Sequence, residues 1–116
     1  MEHYRSLTDW ERRLVERLLG QEFPGRSLLR GQLDNVRARP LDDNGSLDLK
    51  CESSTPAPVE KRIPVEGEAI DYDGTMIHYL LHVVRGRMKE LEVYKDDSST
   101  VMRHPDPDEV EVIVLG

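Results

Sequence analysis

The side chains best suited to chemistry lie close together in one stretch, residues 75–95, which contains two of the four histidines. His78 and His82 are four residues apart, and Glu90 and Glu92 follow in the second half of the stretch. Imidazoles and carboxylates can act as acids and bases or bind metal ions. What they can do here depends on the strands that carry them, because the stretch alternates between apolar and polar residues as strands do.

The pairing of these two strands can be predicted from burial. A three-residue loop at residues 85–87, with a left-handed glycine in it, places Leu81 opposite Leu91. A two-residue loop would instead place Leu81 opposite Glu90. The first pairing brings the apolar side chains to one face, as a buried face requires, and we adopt it. The other face then carries a mixed set: Met76, His78, Leu80, His82, Val84, Met88, Glu90, Glu92 and Tyr94.

In this register His82 lies opposite Glu90, and His78 lies opposite Tyr94. The two histidines are about 13 Å apart along the strand, so only His82 and Glu90 could share an ion. Two ligands are too few for a metal site, and we predict no metal and no other cofactor. An acid–base pair would need a nucleophile motif or a glycine loop beside it, and none is visible, so we predict no catalytic residue. The face is instead predicted to bind a ligand or a partner through five side chains: His78, His82, Glu90, Glu92 and Tyr94.

The charge of the chain narrows the choice of partner. Its 116 residues include 16 Lys or Arg and 23 Asp or Glu, which gives a net charge of −7. Residues 1–40 hold 8 basic and 6 acidic side chains (net +2), whereas residues 41–116 hold 8 and 17 (net −9). Such a surface repels a phosphate backbone and attracts basic groups. We therefore predict no nucleic-acid partner and favour a basic protein.

Cysteine usage and hydropathy indicate the compartment. Cys51 is the one cysteine of the chain, so no disulfide can form within it and a reducing compartment is expected. Residues 1–5 do not begin a signal peptide, and the longest nearly apolar run, residues 79–84, is far shorter than the roughly 20 residues that span a bilayer. We predict a cytoplasmic protein without a membrane partner.

The first third of the chain reads as helical. Thr8 and Glu11 have the spacing of a capping box at the start of a helix over residues 9–19. Apolar residues recur there at helical spacing, and Gly20 ends the pattern. A second, weaker helix begins at residues 24–25 and extends to Leu33.

Beyond residue 35 the apolar period changes from 3.6 to two, which indicates strands. The predicted segments are a hairpin of residues 36–41 and 46–51 around a turn at 42–45, a loop at 52–58, strands 59–70, 75–84 and 88–95, and a last strand at 109–115. Pro64 predicts that its strand lies at an edge or is broken there. The last strand is apolar on both faces, so we expect it at the centre of the sheet or covered by a second copy of the chain.

Helices followed by strands indicate an α+β fold. We predict two N-terminal helices packed on one face of a mostly antiparallel sheet of about six strands. The chain is expected to form a single domain over residues 1–116, with an N-terminal tail (1–7), a helical pair (8–34) and the sheet (35–115).

Several short segments carry a resemblance that extends over most of the chain. They are LTDWER at residues 7–12, FPGR at 23–26, VRARP at 36–40, PVEGEA at 64–69, IHYLLHV at 77–83 and ELEVY at 90–94. Together they resemble a family of short bacterial conserved hypothetical proteins, a domain of unknown function. The resemblance implies a bacterial origin and no particular activity. The family pattern has a glycine after its final Asp turn, where this chain has Asp97, Ser98 and Ser99.

These observations predict a small acidic bacterial protein that acts as a non-enzymatic interaction or accessory module, for example as an antagonist of a basic protein. The alternative is a small-molecule-binding protein or enzyme with a pocket between the helices and a curved sheet. A homodimer is the second form that a protein partner could take.

Overall fold

Two helices precede six strands along the chain, in the order that the change of apolar period predicts. The computed structural model describes residues 3–52 and 54–116; Met1 and Glu2 of the predicted tail and Ser53 of the predicted loop lie outside the described residues. The elements are helices α1 (Asp9–Leu18) and α2 (Arg26–Gln32), strands β1 (Arg37–Pro40), β2 (Leu47–Lys50), β3 (Val65–Ile70), β4 (Met76–Val84) and β5 (Arg87–Lys95), a 3₁₀ helix (Pro107–Glu109) and strand β6 (Glu111–Val114).

Helix α1 begins where the capping pattern places it. The Thr8 hydroxyl accepts a hydrogen bond from the Glu11 N–H (3.2 Å), and the Glu11 carboxylate accepts one from the Thr8 N–H (2.8 Å). Two N–H groups without helical partners are thereby satisfied. Leu14, Val15 and Leu18 recur at helical spacing and are buried, and this stripe determines which side of α1 faces the sheet.

The six strands form one antiparallel sheet with the order β1-β2-β5-β4-β3-β6. Apolar side chains of the two helices and of one sheet face form a shared core, so the predicted α+β fold is confirmed. The molecule measures 40 × 36 × 21 Å, and its smallest dimension corresponds to two packed layers. In the described part of the chain, the second face of the sheet therefore has no helix over it.

The predicted register of the hairpin β4–β5 is confirmed, with Leu81 opposite Leu91. The predicted three-residue loop is wrong. The turn has two residues, Arg85 and Gly86, both left-handed (φ 52° and 77°). A β-bulge beside His82 supplies the extra residue instead, so the same register is reached by a different route.

The bulge also corrects the predicted position of Met88. We expected this side chain on the polar face beside Glu90, by strict alternation. A bulge adds one residue to one strand and reverses the alternation beyond it. Met88 consequently lies opposite Val83 and is buried in the core.

Strands β3 and β6 can also be compared with expectation. Strand β3 begins directly after Pro64, as the predicted break requires, and lies inside the sheet between β4 and β6. Strand β6 does not lie at the centre; it is an edge strand, paired with β3. It is apolar on both sides because Val112 packs against the core, whereas Ile113 lies opposite Glu66 on the other face.

The opposite edge of the sheet is extended by the segment before α1, where Arg5 forms an antiparallel bridge with Ala38 of β1. No helix in the described ranges has the length and apolar character needed to cross a membrane.

Candidate functional site

All five predicted site residues lie on the sheet face that has no helix over it, which we call the outer face. Strict alternation along β4 brings every second side chain to this face. The cross-strand register then adds the side chains that lie beside them on the neighbouring strands. The outer face carries Glu66, Glu68, Met76, His78, Leu80, His82, Val84, Glu90, Glu92, Tyr94, Glu111 and Ile113.

His82 is hydrogen-bonded through both ring nitrogens. It lies opposite Glu90 in the register, but its Nε2 contacts the carboxylate of Glu92, two residues further along β5 (2.8 Å). The Arg62 Nε–H donates to His82 Nδ1 (2.9 Å). Since Nδ1 accepts this bond, the single proton of a neutral ring lies on Nε2 and is donated to Glu92.

The same cluster has one more candidate metal ligand than the sequence predicts. One ligand atom from each of His82, Glu90 and Glu92 lies within 4.8 Å of the other two. Three protein ligands and an open position suit a catalytic zinc ion. However, the hydrogen bond from Arg62 places a proton on His82 Nε2, the nitrogen that faces the carboxylates. A cation bound there would have to displace that proton and the guanidinium. His82 is therefore already hydrogen-bonded to Glu92 and Arg62.

The second histidine is held by an aromatic ring and a carboxylate. His78 lies opposite Tyr94, as predicted, and their rings stack with centroids 4.8 Å apart. Its Nε2–H donates to the Asp96 carboxylate (2.5 Å). Asp96 was missing from the predicted site, although it follows Tyr94 at the spacing of two that keeps residues on one face.

The Tyr94 hydroxyl is surrounded by negative charge. Its pKa is raised from the ordinary value, first by burial and then by nearby carboxylates, those of Glu66, Glu92, Asp96 and Glu68. The phenol therefore remains protonated at neutral pH and can donate a hydrogen bond to an acceptor.

Four carboxylates of the outer face lack a basic partner in the described part of the chain: Glu66, Glu68, Glu90 and Glu111. Glu68 even lies directly opposite Glu111, a like-charge pair that destabilises a sheet. Glu66, Glu68 and Glu111 were missing from the predicted site. Alternation indicates that these residues lie on the polar side of their strands. It does not indicate that β3 pairs with β4 and β6, which is what brings them to the outer face.

The best-formed cavities among the described residues lie away from the predicted site residues. Four surface cavities have volumes of about 280, 230, 250 and 210 Å³. None of these four is lined by a predicted site residue. The predicted site residues are thus presented on a broad face.

Comparison with known proteins gives a family and no activity. Residues 4–105, nearly the whole chain, match a family model described as a domain of unknown function, DUF6984. No curated protein and no solved structure matches the chain. The predicted resemblance to a domain of unknown function is confirmed, and the bacterial origin stays a prediction.

Proposed function

Because the chain belongs to the DUF6984 family, whose description names no activity, we propose a function from the geometry of the outer face. The protein is a non-enzymatic interaction module that binds a basic segment of another protein through this face. A bacterial cytoplasm is part of the proposal, since the single cysteine suits a reducing compartment.

The observation that carries the proposal is the set of four carboxylates without a basic partner. Like charges on neighbouring strands lower the stability of the free protein. A bound segment that contributes lysine or arginine side chains would turn this repulsion into attraction. Complementary charge of this kind also accelerates the encounter with a partner and selects against acidic proteins.

The apolar side chains of the face determine what else the partner must offer. Leu80 lies between Glu92 on one neighbouring strand and Glu66 on the other, and Ile113 follows on β6. Lysine and arginine can lay their methylene stems on such surface while their charged ends reach carboxylates. The face therefore suits a segment in which basic and apolar residues alternate.

The first experiment measures binding of a synthetic peptide with alternating lysine and leucine by calorimetry, with an alternating glutamate–leucine peptide as reference. The test variant is Glu66→Gln/Glu68→Gln/Glu90→Gln. The control variant, Asp43→Asn/Glu60→Gln/Glu109→Gln, removes the same three charges from exposed positions elsewhere, so both variants change the net charge from −7 to −4. We expect the test variant to lose about tenfold in affinity and the control to stay within about twofold.

Two outcomes would overturn the proposal. If both variants lose affinity equally, the peptide senses only the overall charge of the chain. If the wild-type chain fails to bind the basic peptide even at low ionic strength, where charge attraction is strongest, the face does not select basic segments. Amide spectra of both variants verify that each is folded.

The alternative function, a pocket for a small molecule or an enzyme between helices and sheet, has less support. The interface between the two layers is filled by side chains such as Leu14, Leu18 and Tyr79, all fully buried. In addition, the hydrogen bonds of His82 leave it no free nitrogen with which to accept a proton.

A further inference from the structure

The largest of the four cavities is lined by basic residues, whereas the outer face is acidic. It has a volume of about 280 Å³ and opens where β4 turns into β5, beside the end of β2. Its apolar floor contains Leu49, Cys51 and Met88, which are buried. We propose that this cavity binds a small organic anion, with the apolar part of the ligand on the floor and the charged group at the rim.

The rim is basic although the chain is acidic. It contains four cationic side chains, those of Lys50, Arg85, Arg87 and Lys89, against one carboxylate, that of Glu52. An anion entering the cavity would meet a local excess of positive charge on a chain whose net charge is −7.

The two arginines are the cations available to a ligand. Lys89 is paired with Asp48 (3.0 Å). Arg87 donates its Nε–H to the Ser54 carbonyl (3.2 Å), and no acceptor for its terminal nitrogens lies among the described residues. Within the same residues, the Arg85 guanidinium has no hydrogen-bond or ion-pair partner at all. Guanidinium groups bind carboxylates and phosphates through paired N–H donors, so the rim has the chemistry for either anion.

The backbone at Arg85 supplies an independent indication. Arg85 has φ 52°, the left-handed conformation, at the first position of the two-residue turn. Turns of this type favour Asn-Gly or Gly-Gly, and a larger side chain there strains the backbone. Strained residues of this kind concentrate at ligand-binding sites. A guanidinium without a hydrogen-bond or ion-pair partner among the described residues gives the strain a reason if it binds a ligand.

The turn is also held rigidly. The Gln32 side chain and the Ala57 N–H both donate to the Gly86 carbonyl (2.8 Å each). A Cβ on Gly86 would lie 2.6 Å from the Ala57 carbonyl oxygen, so only glycine fits between the turn and the loop. The backbone that carries the two arginines is therefore fixed before a ligand binds, and only their side chains remain to be ordered.

The Cys51 thiol on the cavity floor is not activated as a nucleophile, so we propose binding and no reaction at this site. Burial raises the pKa of Cys51 to about 11, and the nearby charge of Arg87 only partly offsets this effect. The sulfur is thus a protonated thiol at neutral pH and a poor nucleophile.

The test uses four small probes: phenyl phosphate, benzoate, inorganic phosphate and the neutral benzyl alcohol. We expect the two aromatic anions to shift the amide resonances of Val84 and Met88, with inorganic phosphate about tenfold weaker because it lacks an apolar part. The stronger of phenyl phosphate and benzoate identifies the anionic group. Equal shifts with benzyl alcohol, or no shift with either aromatic anion at millimolar concentration, would overturn the proposal.

Substitutions then separate binding from stability. Arg85→Asn creates the Asn-Gly turn and removes the cation, so we expect a melting temperature a few degrees higher and an affinity about tenfold lower. Arg87→Gln should weaken binding similarly, whereas Arg30→Gln, on the exposed side of α2, should leave it unchanged. Wild-type affinity in both cavity variants, or an equal loss in Arg30→Gln, would contradict the site. Because none of these variants changes a carboxylate of the outer face, a loss of anion binding is distinguishable from a loss of peptide binding.

Discussion

At the scale of single residues, His104 is a half-buried histidine whose pKa is lowered by its surroundings. Its Nε2–H donates to the Asn44 carbonyl (2.8 Å), and its Nδ1 accepts a hydrogen bond from the buried Tyr79 hydroxyl (2.8 Å). The ring also packs against Trp10, with centroids 4.7 Å apart. Burial lowers the pKa of His104 from its ordinary value of 6.5, against smaller opposing effects of the Asn44 carbonyl and the Asp71 charge.

The sign of the resulting pH dependence is fixed by that shift. The unfolded chain takes up the His104 proton near pH 6.5, before the folded chain does. The stabilisation is therefore complete above about pH 6.5 and is lost as the pH falls through the lower pKa of the folded state. We expect urea titrations of the wild-type chain to show decreasing stability from pH 7.5 to pH 5.

A His104→Gln variant tests this assignment. It should be less stable at pH 7.5, by about 1–2 kcal/mol for the altered hydrogen bonds, and its stability should change less with pH than that of the wild type. His3→Gln, at an exposed position, serves as the control and should retain the wild-type profile. An unchanged pH profile in His104→Gln would show that another group is responsible.

At the scale of elements, one glutamine connects α2 to the β4–β5 hairpin. The Gln32 side-chain amide donates to the carbonyls of Gly86 (2.8 Å) and Thr55 (3.0 Å), and its oxygen accepts the Met88 N–H (3.0 Å). Gln32 is 1% exposed, and its bonds to Gly86 and Met88 are buried away from water. Three backbone segments therefore depend on a single side chain.

Replacing this glutamine by methionine should cost about 2–4 kcal/mol of unfolding free energy, because the volume is similar but the Met88 N–H and the carbonyls of Gly86 and Thr55 each lose a hydrogen bond. Chemical denaturation measures the loss, and hydrogen exchange at the Met88 amide should become faster. Gln21→Met, an exposed substitution, should have no comparable effect. If Gln32→Met proves as stable as the wild type, the connection is not important to the fold.

The strands also show which features could be predicted from the sequence and which could not. Alternation and burial predict the β4–β5 register and the face of His78, His82, Glu90, Glu92 and Tyr94, because both follow from local periodicity. The bulge does not follow from local periodicity, since the energy of inserting one residue into a strand pair depends on the tertiary contacts of the turn. For the same reason Met88 was placed on the wrong face. The predicted central position of β6 failed because apolar residues on two faces do not distinguish an edge strand from a central one.

At the scale of the whole molecule, the charge is divided along one hairpin. The outer face, in the middle of β4 and β5, is acidic and half-buried, whereas the cavity at the β4–β5 turn is basic. The net charge of −7 conceals this division. The two proposals therefore place a basic protein segment at the middle of the hairpin and a small anion near its turn.

The exposed apolar residues at the end of the chain, Val114 and Leu115, raise the question of whether a second copy of the chain covers them. A dimer through the outer face would bring Glu66, Glu68 and Glu90 against the same residues of a second copy. The centres of stable interfaces are depleted in charge, so this pairing is unfavourable. We therefore expect light scattering at micromolar concentration and low ionic strength to give the monomer mass of 13.4 kDa.

A mass twice as large would contradict this expectation, and two variants would locate the contact. Leu80→Lys, in the middle of the outer face, would disrupt a dimer formed through that face but not one formed through the edge of β6. Val114→Pro would remove a backbone donor from β6 and disrupt an edge-to-edge dimer alone. A face-to-face dimer would also exclude the basic peptide, so peptide binding and dimer formation would compete as the protein concentration rises.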